Sequence, residues 1–216
     1  MRETTLQLSP IMTVTELAIL TLDDAYLHES SGVVSKLEAI RDRIRSVSQN
    51  ETLVFHRQIE NPQVLYIVAE WPSIDAHNKA TESGKAVLAE LLTIAKPLTM
   101  IHIDLPLSAF PLDAPVMSIG RLFVAKERKE EFENFFATAK PLLQEYVAPL
   151  TLASGWRMDP SDEQKGKGEE EWILVAGWPT VEKHRDFSKT DTWERYSKIK
   201  DMIIGAEVVH STKLTA

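Results

Sequence analysis

Apolar positions along the chain change period in a regular order, and that order predicts the elements. Positions 16–22, rich in Leu, Ile and Thr, predict a strand that ends at Asp23-Asp24 and the Ser30-Ser31-Gly32 cluster. From Val33 the apolar residues Val33, Leu37, Ile40, Ile44 and Val47 recur at intervals of four and three, with Arg41, Asp42, Arg43 and Arg45 between them. This is the pattern of an amphipathic helix, whose buried stripe needs a sheet to lie on. Positions 53–58 and 64–71 are two further β-type runs, and the Asn61-Pro62 step between them predicts an antiparallel hairpin. A helical region starts at Pro72-Ser73, a further helix over 85–95 carries Val87, Leu88, Leu91, Leu92 and Ala95 on one face, and 100–105 reads as a closing strand.

The second half runs through the same order. Positions 116–125 predict a strand, and 130–146 a helix with Phe132, Phe135, Phe136, Ala139 and Leu143 inward and Pro141 marking a kink or break. Hairpin arms over 152–157 and 172–178 are joined by 160–169, polar, charged and glycine-containing, which predicts a mobile loop. Trp193, Tyr196, Ile199 and Ile203 mark a late helix and 207–212 a closing strand. One phrase occurs twice: Glu70-Trp71-Pro72-Ser73-Ile74-Asp75-Ala76-His77 returns 107 residues later as Gly177-Trp178-Pro179-Thr180-Val181-Glu182-Lys183-His184. Its return argues for an internal duplication.

Each half therefore reads β-α-β-β-α-β, four mainly antiparallel strands with helices on one face. In the third strand Tyr66 and Val68 alternate with Leu65, Ile67 and Ala69, so both faces are apolar and the uncovered one must also be buried. The expected fold is α+β: two tandem ferredoxin-like repeats whose sheets pack open face to open face into an intramolecular α/β barrel. The expected halves are 1–105 and 116–216, joined by a proline-rich linker over 106–115 in which Phe110 packs.

Composition narrows the class of function. The chain has 216 residues, 44% of them hydrophobic, and carries a formal charge of −8 from 32 acidic and 24 basic residues. Such a balance disfavours nucleic acid and anionic membrane surfaces as partners. The absence of cysteine excludes disulfides and a thiolate nucleophile. The first residues do not read as a secretory signal and no apolar run is long enough to span a bilayer, so a soluble cytoplasmic protein is expected.

The strand-end Trp71 and Trp178, the phrases that follow them through His77 and His184, and the element order resemble the dimeric α/β-barrel superfamily. The resemblance is specifically to its antibiotic biosynthesis monooxygenase-like members, among them tandem two-copy proteins of fungi, and it covers almost the whole chain. It implies a pocket inside each sheet or between them, used in different branches for cofactor-free oxidation of polycyclic aromatics, haem degradation or polyketide cyclisation. Haem-degrading members use a first-strand asparagine, which neither 16–22 nor 116–125 contains. Polyketide cyclases of this fold use a first-strand histidine paired with another; the first strands here have none, although His77 and His184 are available as partners. What the resemblance implies is a monooxygenase-like protein that oxidises an aromatic or polyketide-like small molecule without a cofactor. The alternatives are a polyketide cyclase and a non-enzymatic small-ligand-binding or stress-associated barrel protein, so enzymatic activity stays open. The partner expected is a small hydrophobic or aromatic molecule, and the assembly an intramolecular pseudo-dimer that outer strands could extend to a homodimer.

Histidine supplies the candidate chemistry, because imidazole exchanges protons near neutral pH. His77 matches His184, and His102 matches His210 at a spacing of 108. Strand alternation groups His102 with Met100 and Asp104 and sends Ile101, Ile103 and Leu105 to the helix-covered face, so His102 is expected to point between the sheets. His210, with Val208 and Thr212, is placed likewise. His102 and His210 are the first candidates for an acid or base and His77 and His184 the second; the alternative for all four is backbone hydrogen bonding or helix capping. Trp71, Trp178 and Tyr66 are candidates for shaping a substrate pocket, the tryptophans having the alternative role of plugging a barrel end. Phe55-His56-Arg57 and Gly155-Trp156-Arg157 are aligned as equivalent strand positions, which adds His56 and Trp156 as lining candidates and leaves Arg57 and Arg157 as solvated, salt-bridged arginines. Glu169-Glu170-Glu171 reads as a solvated loop edge. No histidine or acid spacing suits a metal centre, and no dinucleotide, phosphate-loop or nucleophile-elbow motif is present.

Overall fold

Eight antiparallel strands form one continuous sheet in the computed structural model, which describes residues 13–27 and 30–214. The first half contributes β1 (Val14–Leu22), α1 (Ser30–Ser48), β2 (Val54–Gln58), β3 (Val64–Trp71), α2 (Ile74–Ser83), α3 (Lys85–Leu91) and β4 (Ala95–Ile103). The second contributes β5 (Val116–Ala125), α4 (Lys129–Val147), β6 (Leu152–Trp156), α5 (Asp162–Lys167), β7 (Glu169–Trp178), α6 (Val181–Phe187), α7 (Trp193–Tyr196) and β8 (Gly205–Lys213). The strand order is β4-β1-β3-β2-β8-β5-β7-β6, so β1 lies between β3 and β4 as β5 lies between β7 and β8. The halves join where His56–Gln58 of β2 pair with Ser211–Lys213 of β8.

Three apolar cores follow from strand alternation. Leu20, Ile67, Ala69 and Trp71 meet Val33, Leu37 and Ile40 of α1 and Val87 and Leu91 of α3. Leu122, Val124, Ala176 and Trp178 meet Phe132, Phe136, Ala139 and Leu143 of α4. The opposite faces of both sets of strands share a third core, in which Leu17, Tyr66, Val68, Ile101 and Ile103 pack with Met117, Ile119, Ile173 and Val175. The segment over 106–115 adds its buried Leu107 and Phe110 to that core. Burial of this apolar area is the main stabilising term.

The strands of both halves run in one continuous sheet rather than in two facing ones, and among the described residues that sheet is not closed. Among the described residues its edges, β4 and β6, pair through their backbones only around the Ile103–Arg157 bridge, where Met158 N–H donates to His102 O at 2.7 Å and Asp104 N–H to Trp156 O at 3.3 Å. Gly155 permits even this approach, because a Cβ there would lie 3.1 Å from Asp104 O and from the Ile103 side chain.

Local expectations change in two places. The run over 160–169 is no open loop: Ser161 and Gln164 form a capping box that starts α5, and Gly168 ends it at φ 66°. Beyond it β7 takes up Glu169–Glu171, so Glu171 is a buried strand residue rather than a solvated loop edge. Helix α4 runs on through Pro141, giving up the hydrogen bond to the Ala137 carbonyl that a proline cannot donate.

Candidate functional site

The repeated phrase builds the site from the backbone upward. Trp71 ends β3, Pro72 halts the strand, and the Ser73 hydroxyl caps α2 by accepting the Ala76 N–H at 3.1 Å. His77 then lies one turn into α2, where its ring packs 4.8 Å from the Trp71 ring and is buried against the sheet. The second copy repeats this: Thr180 caps α6 by accepting the Lys183 N–H at 3.1 Å, and His184 stacks on Trp178 at 4.2 Å.

Each α-helix histidine meets a closing-strand histidine. His77 Nδ1 lies 2.8 Å from His102 Nε2, and His184 Nδ1 lies 2.7 Å from His210 Nε2. The structure thus brings together the four duplicated histidines as two pairs, but on the opposite side of the sheet from the one expected. Ile101 and Ile103 fill the third core, and His102 faces outward beneath α2 with Glu16. The alternation holds; the face was inverted, because Ile101 and Ile103 bury more apolar surface in the shared core than histidine can.

Three carboxylates complete the arrangement, none of them among the sequence candidates. The Trp71 indole N–H donates to Glu16 Oε2 at 2.6 Å, and the same oxygen is 3.4 Å from His77 Nε2. Asp159, from the second half, accepts the His102 backbone N–H at 3.0 Å and faces His102 Nδ1 at 2.8 Å. Glu60, from the first half, accepts the His210 backbone N–H at 2.9 Å and faces His210 Nδ1 at 2.5 Å. Each half therefore supplies the carboxylate of the other half's histidine pair. One sequence signal existed for Glu16, a lone acid in an otherwise apolar strand; Glu60 and Asp159 sit in polar connections that look like any surface turn.

Position 16 also separates the halves. Glu16 lies opposite Ala69 and His102, and its counterpart opposite Ala176 and His210 is Ser118. Trp178 donates to Ser118 Oγ at 2.9 Å where Trp71 donates to a carboxyl.

Burial sets the electrostatics. Glu16 is 5% exposed, and loss of water raises its carboxyl to about 7 against the opposing influence of the Trp71 bond and His102. Burial and the neighbouring His102 push His77 down to about 4; burial, His210 and Arg185 do the same to His184. For Asp159 burial acts upward, but the bonds from His102 and the charge of Arg157 outweigh it and hold the carboxylate low.

Glu16, Trp71 and His77 form the polar inner wall of a cavity of about 460 Å³ between the sheet and helices α1 to α3. The rest of its lining is mainly apolar, including Leu20, Ile67, Val87 and Leu91, with the hydroxyl residues Ser48, Thr81 and Thr99 among it. Val47, Leu92, Leu98 and Met100 also line it and are exposed, which places its mouth at that rim. On the second half His184 and His210 border a smaller recess of about 230 Å³ with Phe187 and Trp193.

The remaining lining candidates lie elsewhere. Tyr66 belongs to the third core and borders a separate space of about 310 Å³ with Arg121 and Glu207. His56 is fully buried beside Ser211, and Trp156 packs with Phe132 and Trp172 while donating to Glu133 at 2.6 Å. Backbone pairing makes Gln58 the counterpart of Arg157, one residue away from the expected alignment, because Ile59 and Met158 make the equivalent bonds to His210 and His102. Arg157 is buried, not solvated, and binds Glu171 at 3.0 Å. A groove of about 480 Å³ beside it is lined by Arg121 and Glu207, which already pair at 2.7 Å. Among the described residues no group of three or more His, Cys, Asp or Glu is arranged to hold a metal ion, and no helix is long and apolar enough to cross a membrane.

No protein-family model and no curated protein matches this sequence. Solved structures do. A candidate monooxygenase from Lactobacillus acidophilus aligns at TM-score 0.61 and 14% identity over 94% of this chain and 95% of its own. An anthrone oxidase-like protein aligns at TM-score 0.64 and 10% identity over 94% of this chain and 92% of its own. Chlorite dismutase from Candidatus Nitrospira defluvii aligns at TM-score 0.63 and 8% identity over 96% and 94%. At such identities the likeness is one of fold alone.

Proposed function

We propose that the first half is a cofactor-independent oxygenase site for a small aromatic or polyketide-like molecule. The observation that carries this reading is the buried Glu16–His77 pair on the inner wall of a mainly apolar cavity of about 460 Å³, a volume in the range of small-molecule sites. A flat apolar substrate fills the cavity, with an acidified carbon facing the pair. Near neutral pH a substantial fraction of Glu16, poised at about 7, is ionised, and this carboxylate takes up the carbon-bound proton to become the carboxylic acid. The carbanion adds to dioxygen, and the hydroperoxide loses water as the proton returns, so that R₂CH₂ + O₂ gives R₂C=O + H₂O. The fold shared with candidate monooxygenases and an anthrone oxidase-like protein supports the reading. In the same reading the two halves are tandem copies whose sheet curls toward a barrel pinned at Ile103–Arg157, making the molecule its own dimer.

An anthrone, with dioxygen uptake and product mass as readouts, tests the reaction. Wild type is expected to consume one dioxygen per quinone formed, and Glu16→Gln and His77→Ala to lose about 10²-fold or more in rate while staying folded. Full activity in Glu16→Gln overturns the assignment. Product formation without dioxygen uptake would place the same acid–imidazole pair in a polyketide cyclase, and binding without turnover would make the cavity a ligand-binding site.

A further inference from the structure

We infer that Asp159, delivered from the second half, is a positioning residue that allows Glu16 of the first half to pass its proton through His77 to His102. The inference rests on the reading of Glu16 and His77 as the working pair, and it assigns to the contact between the halves a part in that site.

Donor and acceptor roles along the row are set from its outer end. Asp159 Oδ1 accepts the His102 backbone N–H at 3.0 Å and Arg157 Nε–H at 3.1 Å, while Oδ2 faces His102 Nδ1 at 2.8 Å. A carboxylate held low by these bonds only accepts, so His102 Nδ1 carries a proton. The remaining freedom lies at the two inner contacts. In one arrangement His77 Nδ1–H donates to His102 Nε2, and His77 Nε2 presents a lone pair to the Glu16 carboxyl O–H. In the other the Glu16 O–H bond has broken, a new N–H bond has formed at His77 Nε2, and the former Nδ1 proton of His77 has moved to His102 Nε2. One proton crosses each contact and none is gained or lost. Charge has moved, however, from a neutral row to a Glu16 carboxylate and a His102 imidazolium, and the imidazolium is formed directly against Asp159. The 3.4 Å contact between Glu16 and His77 is of the length that catalytic contacts commonly show before ligand binds.

Asp159 is built to stay in place. Arg157 binds its carbonyl at 2.9 Å, the Met100 carbonyl at 2.8 Å and Glu171 at 3.0 Å, tying β4 to β7 just before His102. The second row supplies an internal control: Glu60 holds His210 in the same way, but Ser118 stands where Glu16 would, so that row ends without an acid to exchange a proton.

The test is a pH titration of the full chain labelled with ¹³C in its glutamate carboxyls and ¹⁵N in its histidines, with Glu16→Gln identifying the Glu16 signal. In Asp159→Asn the Glu16 midpoint is expected to rise by about one unit or more, because the imidazolium loses its counter-charge. Asp159→Glu should return it toward wild type, and Glu60→Gln should leave it unmoved. If Asp159→Asn fails to fold, His102→Gln, which removes the proton's destination, should raise the midpoint in the same direction. An unmoved Glu16 midpoint in folded Asp159→Asn or His102→Gln overturns the inference. The titration needs no substrate, so that result alongside an inactive Glu16→Gln would remove the relay and keep the site. A shifted midpoint alongside an active Glu16→Gln would do the reverse.

Discussion

Glu16 is held between two opposing influences, and Trp71 is the one that can be removed cleanly. Burial raises the carboxyl to about 7 while the indole N–H, 2.6 Å away, favours the ionised form. Trp71→Phe keeps an aromatic ring beneath His77 but deletes the donor. The Glu16 midpoint should then move further above 7, with a loss of about 1–3 kcal/mol in stability at pH 8 for a buried acceptor left unpaired. Carboxyl titration and urea unfolding measure both, and a midpoint that stays put would mean the indole bond does not favour the carboxylate. At this scale the sequence was partly readable. Rare residues repeated in register, Trp71 with Trp178 and His77 with His184, drew attention to the right places. Glu16 escaped because its importance comes from what surrounds it, and Asp159 because a polar turn does not declare which strand it will reach.

At the scale of elements, the Trp-Pro-Ser/Thr phrase is a strand end followed by an N-cap, and the cap determines where the histidine falls on its helix. Ser73→Ala removes the hydrogen bond to Ala76 N–H and is expected to cost about 1 kcal/mol. Thr180→Ala should cost a similar amount through Lys183 N–H. Urea midpoints check the two stabilities. Turnover should separate them: loosening α2 displaces His77 beside the large cavity and lowers the rate, whereas loosening α6 leaves it unchanged. Equal effects on turnover would place the work in both halves. The period-two and period-3.6 patterns located the strands and main helices, but α5 was hidden in a charged run because its capping box depends on Gln164 folding back on Ser161.

Across the whole molecule, buried imidazoles govern the response to acid. His56, His77 and His184 are each pushed down to about 4, chiefly by burial. An unfolded chain protonates them near 6.5, so between about pH 6.5 and 4 it binds protons that the folded chain refuses, and stability falls as pH falls. Glu16 has the opposite sign: the unfolded carboxyl ionises from about 4.5 and the folded one from about 7, so its contribution is lost as pH rises across that window. Three groups against one predict a net loss of stability on acidification from pH 6.5 to 4.5. Glu16→Gln, which removes the opposing term, should make that loss steeper. Urea midpoints at half-unit steps test this, and a flat profile between pH 6.5 and 4.5 would contradict the buried neutral state of the histidines.

The order of elements, the two-fold recurrence of Trp and His, and the α+β class are local properties, written in hydrophobic period, turn residues and spacing, and they are legible in the chain alone. The side of the sheet on which His102 works, the reciprocal exchange of Glu60 and Asp159, and the single open-edged sheet are not. They arise from competition for burial. Ile101 and Ile103 claim the shared core and turn His102 outward, and a polar turn becomes part of a site only when the other half folds against it. Such outcomes depend on contacts between residues far apart in the chain, and only the tertiary structure decides them.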